Sequence, residues 1–206
     1  MATAVRRLFL FMMVSLDGYF EGPNHDLSWH VVDQEFNRFA VDQLNQIGTL
    51  LFGRVTYHLF KDYWPKAGRD PTTSKENLEI ARMIDDAEKI VFSRTLAGLR
   101  ETDDWKNVHL VREAQPEEIK RLKQLPGKDI AIFGSNDLAT NLLRMGLIDE
   151  LRIMVNPVIL GNGNPLFRGM TDHVKLKLLR TKTFGSGNVL HYYQPSGKVQ
   201  LTTFSK

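Results

Sequence analysis

The sequence has no cysteine among its 206 residues, and this absence excludes several kinds of site. Disulfide bonds, thiolate metal sites and cysteine nucleophiles are ruled out, as is the zinc deaminase signature, which needs a P-C-x-x-C segment. The H-E-x-x-H, G-x-S-x-G and P-loop patterns are missing as well. We therefore predict no metal site and none of the hydrolase or NTPase classes that these patterns mark. A chain without cysteine fits a cytoplasmic protein.

Long apolar runs and a strong net charge are also lacking. No segment reaches the roughly 18 consecutive apolar residues of a membrane span. The apolar run near the N-terminus is short and is followed by Ser-Leu-Asp-Gly rather than by an A-x-A-like cleavage site, so a buried strand is the better interpretation. The net charge is only +3 and the basic residues are scattered. We expect no nucleic-acid and no membrane partner, and a small molecule as the ligand.

Strand and helix patterns alternate through most of the chain. Apolar runs predict strands over 8–14, 49–52, 89–93 and 128–133, and helical periodicity predicts helices over 34–46, 54–63, 75–86, 117–125 and 136–144. A β-rich stretch over 148–160 and a hairpin over 174–184 and 188–193 follow. This order indicates an α/β fold with a parallel sheet between helices and antiparallel strands added at the end. No linker divides the chain, so we predict one domain over 1–195 and a C-terminal tail over 196–206.

The junction after the second predicted strand combines Gly53, Arg54 and Thr56. In open α/β sheets, ligands bind at the carboxyl ends of strands, and a helix start there offers free N–H groups to a phosphate. Gly53 would let a ligand approach the backbone, while Arg54 and Thr56 add donors. The alternative is an ordinary helix start with a surface arginine.

Two further strand ends carry hydroxyl groups. Ser93 and Arg94 suit a phosphate monoester such as the 2′-phosphate that distinguishes NADP from NAD, although such pairs are also common on surfaces. Gly134 and Ser135 open a helix where a pyrophosphate could rest, or where Ser135 is only an N-cap. The Gly161-Asn-Gly-Asn-Pro165 segment does not open a helix, so it indicates a tight turn rather than a dinucleotide fingerprint.

The first strand ends in Ser15-Leu-Asp-Gly18, which is either a simple bend or the rim of an active site. Asp before Gly is a favoured turn pair, so the bend needs no functional explanation. Asp17 is nevertheless the first candidate for a polar role near a reacting centre, followed by Glu35 and Asp33, with His30 as a more distant candidate. His25 and His30 lie close in sequence, but two loop histidines are more often solvated or hydrogen-bonded than ligands.

An ordered set of segments resembles the dihydrofolate reductase-like superfamily. The closest branch is the group of stand-alone bacterial proteins similar to the C-terminal reductase domain of the riboflavin-biosynthesis deaminase/reductase. The segments that carry this resemblance span nearly the whole chain: Ser15-Leu-Asp-Gly18, Leu51-Phe-Gly-Arg-Val-Thr56, Val91-Phe-Ser-Arg94, Phe133-Gly-Ser135, Gly146-Leu-Ile-Asp-Glu150, Asn156-Pro-Val-Ile-Leu-Gly161 and Pro165-Leu-Phe167. Gly22-Pro-Asn-His-Asp-Leu27-Ser28-Trp29 is also similar to the G-x-x-x-x-L-P-W of dihydrofolate reductases, with Ser28 in place of the proline.

The resemblance implies a three-layer α/β/α fold around a mixed, mostly parallel sheet with an antiparallel C-terminal hairpin. It also implies a homodimer and an extended NADPH. The matching cofactor-binding positions are Val14, Ser15, Gly53, Arg54, Thr56, Ser93, Arg94, Gly134 and Ser135. The catalytic candidates are Asp17 and Glu35, and the substrate-binding candidates are Tyr19, Trp29, Asp33 and Phe36, of which the aromatic residues are alternatively core.

Two departures from the family pattern concern the substrate. Tyr19 stands where the riboflavin-pathway reductases have lysine after S-L-D-G, and neither Asp33 nor Glu35 is in register with the substrate-binding carboxylate of dihydrofolate reductases. The expected function is an NADPH-dependent reductase of a small heterocyclic, carbonyl or imine substrate, similar to 5-amino-6-(5-phosphoribosylamino)uracil reductase or dihydrofolate reductase. The alternative is a non-catalytic protein that senses NADPH or another nucleotide.

Overall fold

Strands and helices alternate along the chain in the computed structural model, which describes residues 5–98, 105–171 and 173–197. The strands are β1 Leu8–Val14, β2 Tyr19–Glu21, β3 Ile47–Gly53, β4 Glu88–Phe92, β5 Val108–Val111, β6 Asp129–Phe133, β7 Glu150–Val155, β8 Asn164–Pro165, β9 Leu176–Thr183 and β10 Val189–Pro195. The helices are α1 Gln34–Leu44, α2 Arg54–Ala67, α3 Lys75–Asp86, α4 Pro116–Gln124 and α5 Asn136–Arg144. Of the proposed tail, residues 198–206 lie outside the described residues.

Eight of these strands form one sheet in the order β5-β4-β3-β6-β1-β7-β10-β9. Neighbours from β5 to β7 are parallel, whereas β10 runs antiparallel to β7 and to β9. The prediction of a mixed, mostly parallel sheet with an antiparallel C-terminal hairpin is therefore confirmed. β2 and β8 pair separately above the end of β1.

The central strand β1 is buried along its whole length because both faces of the sheet are covered. Its side chains alternate between two cores, as the pleat of a strand requires. Phe9, Phe11 and Met13 join the core under α1, α2 and α3, and Leu8 and Leu10 belong to the core under α4 and α5. The fold therefore has the three layers that the resemblance implies.

Most element boundaries agree with the sequence patterns. The strand over 8–14 and the helices over 75–86 and 136–144 have the predicted bounds. The pattern over 148–160 predicted too long a strand, because only Glu150–Val155 pairs in the sheet. Helix α2 continues four residues past its predicted end at residue 63, with Pro65 in its last turn. The short strands β2, β5 and β8 were not predicted, since two to four residues carry little periodicity and depend on their pairing partners.

The described residues include no helix that is long and apolar enough to cross a membrane.

Candidate functional site

A cleft of about 1300 Å³ follows the carboxyl ends of the central strands. Residues at or just after the ends of β4, β3 and β6 line it, together with Phe11, Met12 and Met13 near the end of β1. Because neighbouring strands lie about 4.8 Å apart, the distance across the sheet from β4 to β1 is roughly 14 Å. The cleft is thus long enough for an extended ligand that crosses several strands.

The junctions β3–α2 and β6–α5 are joined by a small hydroxyl network. The Gly53 N–H donates to Ser135 Oγ at 2.8 Å, and Thr56 Oγ1 lies 2.9 Å from that hydroxyl. The Ser135 N–H also donates to Thr56 Oγ1 at 3.0 Å. Gly134 has φ +63° and its α-carbon faces Thr56, so a side chain at that position would be strained by the backbone and would meet the threonine methyl group. The network fixes the relative position of the two helix starts.

Neither of these two helices is capped by a side chain. Gly53 precedes α2 without offering an acceptor, and Ser135 precedes α5 but uses its hydroxyl in the network instead of as an N-cap. Arg54 and Val55 of α2 and Asn136 of α5 line the cleft. Free N–H groups and the positive ends of two helix dipoles therefore face the middle of the cleft, where an anion would be stabilised.

Two arginines lie at the end of the cleft where β4 and β5 stop. The Arg94 side chain is 81% exposed, and its guanidinium lies 3.9 Å from the Glu113 carboxylate. Arg112 donates to the carbonyl oxygens of Ser93 and Leu96, at 3.3 and 2.6 Å. Ser93 is buried, and its Oγ accepts the Leu96 N–H at 3.1 Å. This corner offers two guanidinium groups and a serine turn to a second anion.

A different polar group lies at the opposite end, beside β2. Glu21 lines the cleft with a side chain that is 13% exposed, and it accepts hydrogen bonds from Asn164 at 2.6 Å and from His25 Nδ1 at 2.9 Å. His30 lines the cleft nearby, and its Nε2 is buried without a partner among the described residues. Burial lowers the pKa of His30 to about 4, so this imidazole is neutral near pH 7.

Eight of the predicted site residues meet in this cleft. Phe36 lies on the α1 wall, and the other seven line the strand ends: Gly53, Arg54, Thr56, Ser93, Arg94, Gly134 and Ser135. They come from four separate parts of the chain and are brought together by the sheet order. Their roles toward a cofactor or substrate stay predictions. Gly53 was predicted to let a ligand approach the backbone, and its own N–H is bonded to Ser135 Oγ.

Asp17 is not among the described residues that line the cleft. Its carboxylate accepts the N–H groups of Leu160 and Gly161, at 3.1 and 2.7 Å, and so fixes the loop after β7. A hydrogen bond with the Ser15 side chain, together with these backbone donors, holds the pKa of Asp17 below its ordinary value. The geometry gives Asp17 a structural task and leaves its predicted catalytic role without a contact in the cleft.

Six other predicted residues, like Asp17, are not among the described residues that line the cleft. Their contacts are structural. Asp33 caps α1 by accepting the Phe36 N–H, and Glu35 accepts the Gly185 N–H in the β9–β10 turn at 2.9 Å. Trp29 donates its indole N–H to the Asp26 carbonyl. The remaining three are Val14 and Ser15, which are buried at the end of β1, and Tyr19, which pairs with Pro165 in the small sheet.

Several lining residues were missed by sequence reasoning. Arg112 follows the unpredicted strand β5, and Glu21 ends the unpredicted strand β2. Asn164 belongs to the segment over 161–165 that was interpreted only as a tight turn, and Arg168 follows it. Arg112 could have been found by extending the search for strand ends to the next apolar run, Val-His-Leu-Val. For Glu21 the sequence offers no comparable signal.

The three-layer architecture, with helix starts converging on the strand ends of a mixed sheet, defines a dihydrofolate reductase-like fold. The chain belongs to the RibD C-terminal domain family, whose pattern matches residues 6–190. The uncharacterized protein YyaP of Bacillus subtilis (strain 168) is a relative, 38% identical over 192 residues that cover 93% of this chain and 96% of YyaP.

Solved structures share the fold at low sequence identity. A protein from Shewanella sp. PV-4 named for riboflavin biosynthesis has a TM-score of 0.69 at 20% identity, covering 93% of this chain and 99% of that one. The deaminase/5-amino-6-(5-phosphoribosylamino)uracil reductase of Thermotoga maritima has a TM-score of 0.64 at 16% identity, covering 93% of this chain but 57% of that one. Dihydrofolate reductase from Enterococcus faecalis, complexed with NADP(H), has a TM-score of 0.59 at 15% identity, covering 93% of this chain and 97% of that one.

Proposed function

We propose that this protein is an NADPH-dependent reductase of a small molecule with a polarised C=N or C=O bond. One observation carries the proposal. A single cleft joins an arginine corner at the ends of β4 and β5, two uncapped helix starts after β3 and β6, and the end beside β2 where Glu21 and His30 lie, in that order along the strand ends. The order matches the sequence of chemical groups along an extended NADPH. The reductases named among the structural neighbours, one of them complexed with NADP(H), support the same class.

The donors present in the cleft fit this cofactor. The N–H groups at the starts of α2 and α5, with Arg54, would hold the pyrophosphate. Ser93, Arg94 and Arg112 would hold the 2′-phosphate. When bound, the reduced nicotinamide supplies the hydride. The chain itself aligns the two reactants and excludes water from the space between them.

Glu21 is the carboxylate best placed to support protonation of the substrate. It is mostly buried, faces the cleft and is hydrogen-bonded to the exposed imidazole of His25. The exposed imidazole connects this carboxylate with solvent. By contrast, the carboxylates of Asp17 and Glu35 hold backbone N–H groups.

The test compares the thermal stabilisation of the protein by NADPH and by NADH. We expect a larger rise in Tm with NADPH, and we expect Arg94→Ala to remove the difference because a lost charge-assisted bond weakens affinity by about tenfold or more. Arg121→Ala on α4, an exposed arginine away from the cleft, is the matched control. An equal response to both cofactors in the wild-type protein would refute the proposed 2′-phosphate corner.

A second step separates an enzyme from a sensor. If NADPH binds, its oxidation is followed with a panel of carbonyl and imine compounds that includes dihydrofolate and the riboflavin-pathway intermediate. Turnover of a panel member supports the reductase. Tight NADPH binding without any turnover would instead support the alternative, a protein that senses NADPH.

We also propose that two copies of the chain associate, as the resemblance implies. β9 is the outer strand of the sheet, and all of its eight residues are exposed. Leu176, Leu178 and Leu179 are 41–50% exposed there. An exposed edge strand with apolar side chains favours pairing with another chain.

A further inference from the structure

Helix α2 presents a stripe of apolar side chains to the cleft. Val55, Leu59 and Tyr63 are spaced by four residues, so they lie on one face of the helix. They line the cleft although they are 56%, 50% and 52% exposed. Large apolar side chains that remain this exposed in a concave site indicate that a ligand covers them.

Aromatic rings form the floor opposite this stripe. Phe11 from β1 and Phe133 from β6 have ring centroids 5.7 Å apart. Phe60 from α2 lies 6.3 Å from Phe133, and Phe36 from α1 lies 6.4 Å from Phe11. Rings from four elements therefore surround one space, which we call the aromatic compartment: Phe11, Phe36, Val55, Leu59, Phe60, Tyr63 and Phe133.

Charge is distributed unevenly along the cleft. Among the described lining residues contributed by α1, α2 and α3, Arg54 at the first position of α2 is the charged one. The other polar groups on these walls are uncharged: Thr56, the amides Asn37, Gln43 and Asn77, the Tyr63 hydroxyl and the Trp64 indole N–H. Arg94 and Arg112 follow β4 and β5 at the far end of the cleft, and Arg168 lies in the segment after β8. Away from the start of α2, a phosphate group in the compartment would lose its hydration without gaining a cation from these three helices.

We propose that the aromatic compartment binds the ring system of an uncharged, mainly aromatic substrate and excludes phosphorylated ones. This inference rests on the proposed function, because it places the substrate beside the cofactor groove. It sets this protein apart from a reductase whose pyrimidine carries a phosphoribosyl group, such as the one named in the Thermotoga maritima structure. The departure at Tyr19, where riboflavin-pathway reductases have lysine, is consistent with the same difference.

The experiment measures binding of 1-aminoanthracene, an uncharged aromatic probe whose fluorescence rises in an apolar site. We expect saturable binding to the wild-type protein and at least tenfold weaker binding to Leu59→Asp, since the new carboxylate would lie in the compartment. Leu125→Asp is the matched control, because Leu125 is 48% exposed on a surface away from the cleft. Leu59→Met keeps an apolar side chain and should bind the probe like the wild-type protein.

Three results would overturn the inference. The first is equal probe affinity of Leu59→Asp and Leu125→Asp. The second is displacement of the probe by ribose 5-phosphate. The third is a change in the number of associated copies in Leu59→Asp, measured by light scattering, which would make the stripe an interface between copies.

The NADPH thermal shift is measured in parallel. Probe binding without an NADPH response would refute the proposed function and leave the compartment standing, and the reverse result would refute the compartment alone.

Discussion

Glu21 and Asp17 are close in sequence but have opposite surroundings. Glu21 lies in the cleft, where Asn164 and His25 hold its carboxylate. Asp17 is exposed, and its pKa is lowered by the Ser15 hydroxyl and by backbone N–H groups. A carboxylate with a lowered pKa stays ionised and is a poor proton donor, which disfavours Asp17, and its position in the cleft favours Glu21 for the chemical role.

Glu21→Gln should lower the turnover of whichever carbonyl or imine substrate the screen finds. General acid–base groups contribute about 10²-fold or more, and we expect a loss on that order with unchanged NADPH binding. Glu35→Gln is the matched control, because its side-chain oxygen can still accept the Gly185 N–H. A comparable loss in Glu35→Gln at unchanged stability would support Glu35 as the catalytic group instead.

The half-buried imidazole of His30 should make stability depend on pH. Its pKa is about 4 in the folded protein because burial disfavours the cation, against 6.5 for a free side chain. The neutral His30 therefore contributes its full stability above pH 6.5, and that contribution is lost as the pH falls through 4. As the pH falls from 6.5 to 4, the unfolding free energy of the wild-type protein should fall by on the order of 1–3 kcal/mol more than that of His30→Gln.

Urea unfolding at several pH values measures this difference. His58→Gln is the control, since His58 is exposed on α2. Parallel pH curves for the wild-type protein and His30→Gln would contradict the prediction.

At the scale of elements, the start of α1 is held by hydrogen bonds to distant segments and by its own N-cap. Before the helix, the Val31 N–H donates to Asn156 Oδ1 and the Val31 carbonyl accepts from Asn188 Nδ2, both at 2.9 Å. These asparagines are fully buried. Asp33 then caps the helix, and Glu35 binds the β9–β10 turn. The wall of the aromatic compartment is therefore fixed by contacts from distant parts of the chain.

Asp33→Ala should destabilise the protein by about 1 kcal/mol, because it removes the N-cap of α1. Asp33→Asn keeps an oxygen that can accept the Phe36 N–H and should be close to the wild-type protein in urea unfolding. The same pair tests the predicted substrate contact. If Asp33 binds substrate through its charge, Asp33→Asn will lose turnover at unchanged stability.

At the scale of the whole molecule, the cleft and the exposed edge strand β9 lie at different parts of the sheet. The cleft lies at the ends of β4, β3, β6 and β1, while β10 and β9 continue the sheet on the other side of β7. Association through β9 would therefore leave the proposed cofactor groove open. The proposed single domain over 1–195 stays a prediction, although β1 contributes side chains to the cores on both faces of the sheet.

Replacing Leu176 and Leu178 together by lysine should convert a two-copy particle into a single chain, measured by light scattering during gel filtration. Two charges added to an edge strand oppose pairing with another strand. Leu125→Lys, at a similarly exposed leucine, should leave the mass unchanged. NADPH binding should persist in all variants, and a two-copy particle that survives the double substitution would rule out β9 as the contact.

The sequence by itself determined the elements that have strong local signals. Seven consecutive apolar residues made β1 recognisable, and Asp33 before an apolar helical face marked the start of α1. The strand-to-helix junctions at Gly53 and Gly134 were visible because glycine and hydroxyl residues follow apolar runs.

Only the tertiary structure decided what those junctions do. The sheet order placed Ser135 against Gly53, so the hydroxyl for which the sequence left a pyrophosphate contact or a helix cap open links two helix starts. Asp17 does not line the cleft, whereas Glu21 does, because it lies in the short strand β2. The pairing of β2 with β8 leaves no local pattern in the sequence. Local sequence specifies helices and strands through short-range periodicity, whereas a site is made by contacts between residues more than a hundred positions apart, such as Glu21 with Asn164.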